Sequence, residues 1–160
     1  MFHPLTGRIE SLLKQNNFWY ETFTHEPVKT SEEASKVRTG YSLSQGAKAL
    51  IIRMKKNTIR SFCMLVIPGG KKFDSEKVKK LLDTRDIRFA TEEEISKITD
   101  GVKIGGIPPF GNLFNVKVYM DSSMLTNEKI IFNAGDRSFS IAMKREDYQK
   151  LVSPEIASIV

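Results

Sequence analysis

Gly105-Gly106-Ile107-Pro108-Pro109-Phe110-Gly111 is the segment of this chain that departs most strongly from helix and strand. Glycine permits φ > 0 and lets other groups approach the backbone closely. Proline fixes φ, lacks an N–H and restricts the residue before it. Three glycines and two prolines in seven positions therefore predict a stiff, shaped loop with little side-chain bulk. Such a loop serves either as a demanding corner of the fold or as a wall of a binding site.

The sequence on both sides of this loop alternates between helical and strand patterns. Apolar spacing and capping residues predict helices over residues 4–16, 30–40, 74–82 and 91–101 and from 145 toward 152. Apolar runs bounded by turn residues predict strands over 18–24, 47–54, 60–67, 87–90, 116–121, 129–133 and 138–143. Many connections are of hairpin length. We therefore expect an α+β fold with a curled, mostly antiparallel mixed sheet flanked by helices.

The composition is that of a globular protein, with 40% apolar and 28% charged residues. A length of 160 residues suits one domain, expected over residues 1–160, because no repeat or linker divides the chain. No apolar run approaches the ~20 residues needed to cross a bilayer, so no membrane partner is expected. The single cysteine, Cys63, lies in an apolar run and excludes an internal disulfide. A cytoplasmic location is the expected default.

The charge balance and the histidine count limit the kinds of partner that the sequence predicts. The net charge of +6 favours a polyanionic partner, although a solvated lysine-rich surface explains it equally well. His3 and His25 are the only histidines, and with one cysteine they do not make a metal site. We expect neither a metal nor another cofactor.

Lys48 is the charged residue whose position is least ordinary. It lies in Gly46-Ala47-Lys48-Ala49-Leu50, at the mouth of an apolar strand. A cation held there could bind a phosphate or stabilise developing negative charge. The alternative is a lysine whose stem lies along the strand end while its ammonium stays in water. The local sequence favours this alternative.

Taken together, these segments resemble the YbaK/prolyl-tRNA-synthetase-associated editing domain family. The matching segments follow one another in the family's order over nearly the whole chain. They are His25-Glu26-Pro27-Val28, Thr30-Ser31-Glu32-Glu33-Ala34, Gly46-Ala47-Lys48-Ala49-Leu50, Gly105 to Gly111, Asp121 and Asn133-Ala134-Gly135. The glycine-proline loop and the lysine at the strand start are the specific parts of the resemblance.

The resemblance implies the family's compact fold and an aminoacyl-tRNA deacylase that acts in trans. Its substrate would be a mischarged tRNA, in this family usually prolyl tRNA carrying cysteine or alanine, and prolyl-tRNA synthetase is an implied partner. Synthetases need a second, hydrolytic site because one methylene changes the free energy by which a pocket distinguishes small side chains by only ~1–3 kcal/mol. The family lacks a conventional general base, and water or a group on the substrate does that work.

The resemblance also implies roles for individual residues. Lys48 would anchor the 3′-terminal nucleotide, and Gly105 and Gly106 would present backbone to the ester. These three are the expected catalytic residues. The expected substrate-binding residues are Tyr20, Thr30, Pro108, Pro109, Phe110, Asp136 and Ser138.

One departure from the family bears on specificity. Some alanine-specific members have a histidine in the turn after Asn133-Ala134-Gly135, where this chain has Asp136-Arg137-Ser138. Cysteine or another small amino acid is therefore open as the acyl group. Two other hypotheses remain: a non-catalytic module that binds a tRNA end or a synthetase, and a small-molecule nucleotide binder. Turnover of charged tRNA distinguishes the deacylase hypothesis from these two alternatives.

Overall fold

The computed structural model describes residues 2–28 and 30–160; Met1 and Lys29, which the expected domain 1–160 includes, lie outside the described residues. The described part forms the helices α1 (Pro4–Gln15), α2 (Ser31–Val37), α3 (Ser75–Leu82), α4 (Glu92–Thr99) and α5 (Arg145–Val152). Its strands are β1 (Tyr20–Thr24), β2 (Ala47–Lys56), β3 (Ile59–Pro68), β4 (Asp86–Phe89), β5 (Lys117–Asp121), β6 (Lys129–Asp136), β7 (Phe139–Lys144) and β8 (Glu155–Ala157). The mixed α+β class expected from the sequence is confirmed.

The strands form two sheets that meet beside the glycine-proline loop. The first is antiparallel with the order β1-β7-β6, and the second is mixed with the order β4-β2-β3-β5-β8. In the second sheet β3 pairs with β5 in parallel, and β5 pairs with β8 in parallel. A single parallel bridge between Gly46 and Ile131 joins the two sheets. The start of β2 is thereby held against the middle of β6.

Strand β3 explains the longest apolar run of the sequence, because it is buried on both faces. Met64 and Val66 belong to the main core, which α1, α5 and the three-stranded sheet share. Cys63, Leu65 and Ile67 alternate with them and belong to a second cluster that α3 covers. A strand covered on both sides has no polar face, so its sequence shows a continuous apolar run.

The predicted elements lie close to the observed ones, and most differences fall at their ends. Strands β2 and β3 run on to a two-residue turn, in which Asn57 has φ +59°. Strand β8 has only three residues and pairs only with β5, and the sequence did not predict it. Short 3₁₀ turns such as Leu43–Gln45 were not predicted either. Within residues 2–28 and 30–160, none of the helices is long and apolar enough to cross a membrane.

Candidate functional site

A cavity of about 120 Å³ lies where helix α2, the start of β2 and the glycine-proline loop meet. This volume is close to that of an engineered protein cavity that accommodates benzene, so the space suits a small group. Its walls combine apolar side chains with short polar side chains and glycine backbone. The lining residues are Val28, Thr30, Ser31, Ala34, Ser35, Arg38, Ser42, Leu43, Gly46, Ala47, Lys48, Ala49, Gly69, Gly105, Ile107 and Asn133.

Lys48 lies at this cavity, half-buried on the second residue of β2. Its Nζ donates a hydrogen bond of 2.6 Å to the carbonyl oxygen of Lys71, which fixes the direction of the side chain. Burial lowers the pKa of the Lys48 ammonium; Glu32 partly offsets this effect and Lys72 adds to it. An ammonium has three donors, so the two that remain are available to an anionic group.

Gly105 lines the same cavity as Lys48 and presents backbone. Its φ of +90° belongs to the region that favours glycine, and an added Cβ would lie 3.0 Å from Cδ of Arg137. The amide Nδ2 of Asn133 donates to the Gly105 carbonyl oxygen at 2.6 Å, which fixes the peptide plane. Within the described chain the Gly105 N–H has no hydrogen-bond acceptor. A donor of this kind can serve a ligand.

The residues that follow Gly105 support the loop from behind. Gly106 donates to the Lys103 carbonyl and accepts from the Gly135 N–H at 2.8 Å, so it joins the loop to the end of β6. Pro108 and Pro109 are buried, and the Pro109 carbonyl accepts from the Tyr148 hydroxyl. Phe110 is 0% exposed and packs against Tyr148 in the core. The cavity lining does not include Gly106, Pro108, Pro109 or Phe110.

The remaining residues expected at the site fall in different places. Thr30 lines the cavity as the N-cap of α2, where its Oγ1 accepts from the Glu33 N–H. Tyr20 lies in β1 opposite Met143 and packs against the main core. Asp136 turns inward on its own hairpin, where it accepts from the backbone N–H and the hydroxyl of Ser138. Burial would raise the pKa of Asp136, but these two hydrogen bonds lower it overall.

A buried polar network behind the cavity was not expected from the sequence. Arg38, at the C-terminal end of α2, donates from Nε to Ser140 Oγ at 3.0 Å and from Nη2 to Asn133 Oδ1 at 2.9 Å. His25 Nε2 also contacts Ser140 Oγ, at 2.9 Å. The network therefore joins α2 to β6 and β7 and, through Asn133, to the Gly105 carbonyl. The partners of Arg38 are about a hundred residues away, so local sequence has no signal for them.

Comparison with known proteins identifies the class to which this arrangement belongs. The model of the aminoacyl-tRNA editing domain family matches residues 25–151, a span that includes Lys48, Gly105 and Asn133. The chain belongs to this family, whose members hydrolyse mischarged aminoacyl-tRNA. It is an enzyme of the aminoacyl-tRNA deacylase class, as the resemblance of its motifs implied.

Two curated relatives and one solved structure illustrate the range of the family. The multifunctional Ser/Thr-tRNA deacylase ProXp-y of Escherichia coli (strain K12) is 29% identical over 152 residues, which cover 94% of this chain and 90% of that protein. The proline–tRNA ligase of Aquifex aeolicus (strain VF5) is 30% identical over 128 residues, which are 78% of this chain but only 22% of the ligase. The crystal structure of a putative trans-editing enzyme for prolyl tRNA synthetase superposes with a TM-score of 0.82 at 20% identity, covering 99% and 98% of the two chains. This last likeness shows the fold.

Proposed function

We propose that this chain, as one editing domain over residues 1–160, removes a small amino acid from mischarged tRNA in trans. The motif resemblance points to cysteine or alanine on tRNA(Pro), and the name of the E. coli relative adds serine and threonine. Prolyl-tRNA synthetase is the expected partner, because the proline–tRNA ligase of Aquifex aeolicus contains a segment that is similar to this chain. The cytoplasmic location expected from the lone cysteine belongs to the same proposal.

The observation that supports this proposal best is that Lys48 and Gly105 line one small cavity. The Lys48 ammonium has donors for the phosphate of the 3′-terminal nucleotide. The Gly105 N–H, without an acceptor in the described chain, is a donor for the ester carbonyl oxygen. A fixed backbone N–H stabilises the negative charge that develops on that oxygen during attack.

The reaction is an ordinary ester hydrolysis. A water oxygen adds to the acyl carbon, and the carbonyl oxygen becomes an oxyanion opposite the Gly105 N–H. The tetrahedral intermediate then releases the terminal ribose oxygen, which takes a proton, and the products are the free amino acid and the uncharged tRNA. Among the described residues that line the cavity, none is a histidine, aspartate or glutamate that could deprotonate the water. We therefore propose that another water molecule or a hydroxyl group of the substrate accepts the proton of the attacking water.

A panel of charged tRNAs tests the substrate. Purified protein is incubated with tRNA carrying alanine, cysteine, serine, threonine or cognate proline, and loss of each ester is followed over the buffer rate. We expect hydrolysis of at least one small mischarged amino acid and sparing of the cognate prolyl ester. Equal rates for all esters would contradict the proposed selectivity, and buffer rates throughout would contradict the proposed activity.

The role of Lys48 is tested with a matched lysine on the same strand. Lys48→Met should lower kcat/KM for the best substrate by at least about tenfold, because a charge-assisted hydrogen bond is lost. Lys55→Met removes the same charge near the other end of β2 and should leave kcat/KM within about twofold. Thermal unfolding of both variants checks that they fold. Equal activity of the two variants would remove Lys48 from the site.

A further inference from the structure

Arg38 is a buried cation at the cavity. It is 7% exposed, and its side chain lines the cavity. Among residues 2–28 and 30–160, none of the ion pairs includes it. Burial lowers the pKa of the guanidinium to about 10. A charge that is buried without a counter-ion destabilises a fold, so its presence at a cavity points to a use outside folding.

The geometry of the guanidinium leaves one of its edges available. Nε and Nη2 form a fork that engages Ser140 Oγ and Asn133 Oδ1. Nη1 lies on the other side, toward Gly46, where an added Cβ would be 3.6 Å from it. In the described chain Nη1 donates no hydrogen bond. The fork therefore fixes the plane of the group, and the free edge lies beside Gly46, which also lines the cavity.

Several other polar side chains of the lining already form hydrogen bonds with nearby residues. Ser35 Oγ donates to the Glu32 carbonyl at 2.8 Å, and Ser42 Oγ donates to Gln45 Oε1 at 3.2 Å. The Asn133 side chain bonds Arg38 through its oxygen and Gly105 through its nitrogen. Arg38 Nη1 is therefore a fixed donor with free N–H groups at this cavity.

We propose that the free edge of Arg38 selects acyl groups with a side-chain hydroxyl, seryl and threonyl, over alanyl. This inference rests on the proposed function and assigns the residue that sets its substrate class. A hydroxyl oxygen accepts from Nη1, whereas an alanyl methyl would cover the same N–H groups without replacing the hydrogen bond. Sites built around a hydrogen bond reject the analogue that lacks the polar atom far more strongly than apolar pockets reject a missing methylene. Arg38 is thus a specificity-determining residue.

The test compares two substrates that differ by one oxygen. Ser-tRNA and Ala-tRNA, made on the same tRNA, are hydrolysed by the wild type, by Arg38→Met and by Lys36→Met. The last variant removes an exposed cation from the same helix, away from the cavity. We expect the ratio of kcat/KM for Ser-tRNA to that for Ala-tRNA to fall at least about tenfold in Arg38→Met and to stay constant in Lys36→Met. Because both substrates meet the same variant, a loss of folded protein cancels in the ratio.

Two outcomes would overturn the inference. A fall of equal size on both substrates would place Arg38 in support of the fold or at the ester carbonyl, and an unchanged ratio would leave it without a role in selection. A second measurement separates this inference from the proposed activity. The dissociation constants of the seryl and alanyl 3′-amides of 3′-amino-3′-deoxyadenosine are compared for the wild type and Arg38→Met. A wild type that hydrolyses none of the mischarged esters contradicts the proposed function, and the ratio of these constants still tests Arg38.

Discussion

At the scale of single residues, Gly106 is required by the backbone that lies opposite it. Its φ is ordinary, yet an added Cβ would lie 3.2 Å from the Asp136 nitrogen and 3.3 Å from the Gly135 carbonyl carbon. Both atoms belong to main chain that is fixed by the hydrogen bond from Gly135 to Gly106. A methyl group here must therefore push the loop away from the hairpin between β6 and β7.

Gly106→Ala is expected to lower both stability and activity. Overpacking of this kind costs about 1–3 kcal/mol of unfolding free energy. Displacement of the adjoining Gly105 N–H should also reduce deacylation, since small misplacements cost up to about a hundredfold. The control is Gly7→Ala in α1, where nothing lies within 4 Å of the added Cβ. That change should stabilise the protein by about 0.5–1 kcal/mol. Urea unfolding and deacylation rates measure both variants, and equal stability of the two would refute this account of Gly106.

The residues of the site differ in how far local sequence could predict them. A backbone that needs glycine could be predicted at Gly105 from the local sequence, and Gly105 has a φ of +90°. Phe110 was expected to bind substrate but packs in the core, because a phenylalanine in a glycine-proline loop looks the same whether it faces a ligand or the interior. No local sequence pattern singles out Arg38. Its burial is decided by β6 and β7, which come much later in the chain.

At the scale of elements, the junction between β4 and α4 depends on one carboxylate. Glu94 accepts from both Nη atoms of Arg88 and from the Thr91 N–H, which completes a capping box. These hydrogen bonds, that of Arg88 first, lower the pKa of Glu94 to about 2. In the unfolded chain a glutamate has a pKa near 4.3. Between these two values the unfolded state binds the extra proton, so the contribution of Glu94 to stability decreases as the pH falls.

Glu94→Gln should therefore cost about 1 kcal/mol of unfolding free energy at pH 7, and the cost should shrink between about pH 5 and pH 2. Urea unfolding at pH 7, 5 and 3 measures it. The neighbouring Glu93 is 82% exposed and pairs with Lys97 at the surface, so Glu93→Gln should change stability by less than about 0.5 kcal/mol at every pH. A cost at Glu94 that is the same at pH 7 and pH 3 would rule out this linkage.

The elements were predictable where a local signal marks both ends. Helix α4 begins at its capping box and ends at Asp100, which has φ +57°, next to Gly101. Strand β8 has no such signal, because its three residues become a strand only through pairing with β5. Asp121 also holds the residues after β8, accepting from the N–H groups of Ile159 and Val160. Contacts of this range are decided by the tertiary fold.

At the scale of the whole molecule, the two sheets bring together residues that the sequence keeps apart. The bridge from Gly46 to Ile131 places Lys48 beside the segment that contains Asn133, and Gly135 holds the glycine-proline loop through Gly106. The order of the motifs along the chain identified the family and hence the fold. The order alone did not show that Asn133 orients the Gly105 carbonyl, because this depends on a 2.6 Å contact between segments 28 residues apart.

The excess of positive charge should act on the tRNA as a whole rather than on the ester. With a net charge of +6 and a cavity suited to a small group, most of the phosphates of a tRNA must be met outside the cavity. Each phosphate neutralised by a lysine or arginine releases counter-ions, so affinity falls with salt in proportion to the number of contacts. Raising the salt from 50 to 200 mM should weaken binding about three- to fourfold for every phosphate contact on a duplex.

The measurement compares KM for a charged full-length tRNA with KM for the matching aminoacyl-adenosine over this range of salt. The adenosine ester has no acceptor stem, so its KM should change little, while the KM of the tRNA should rise steeply and linearly on logarithmic axes. The rates at saturating substrate should stay constant for both, because chemistry at the ester does not involve the distant phosphates. Parallel salt dependence of the two KM values would show that the positive surface charge makes no contribution to tRNA binding, and recognition would then end at the terminal nucleotide.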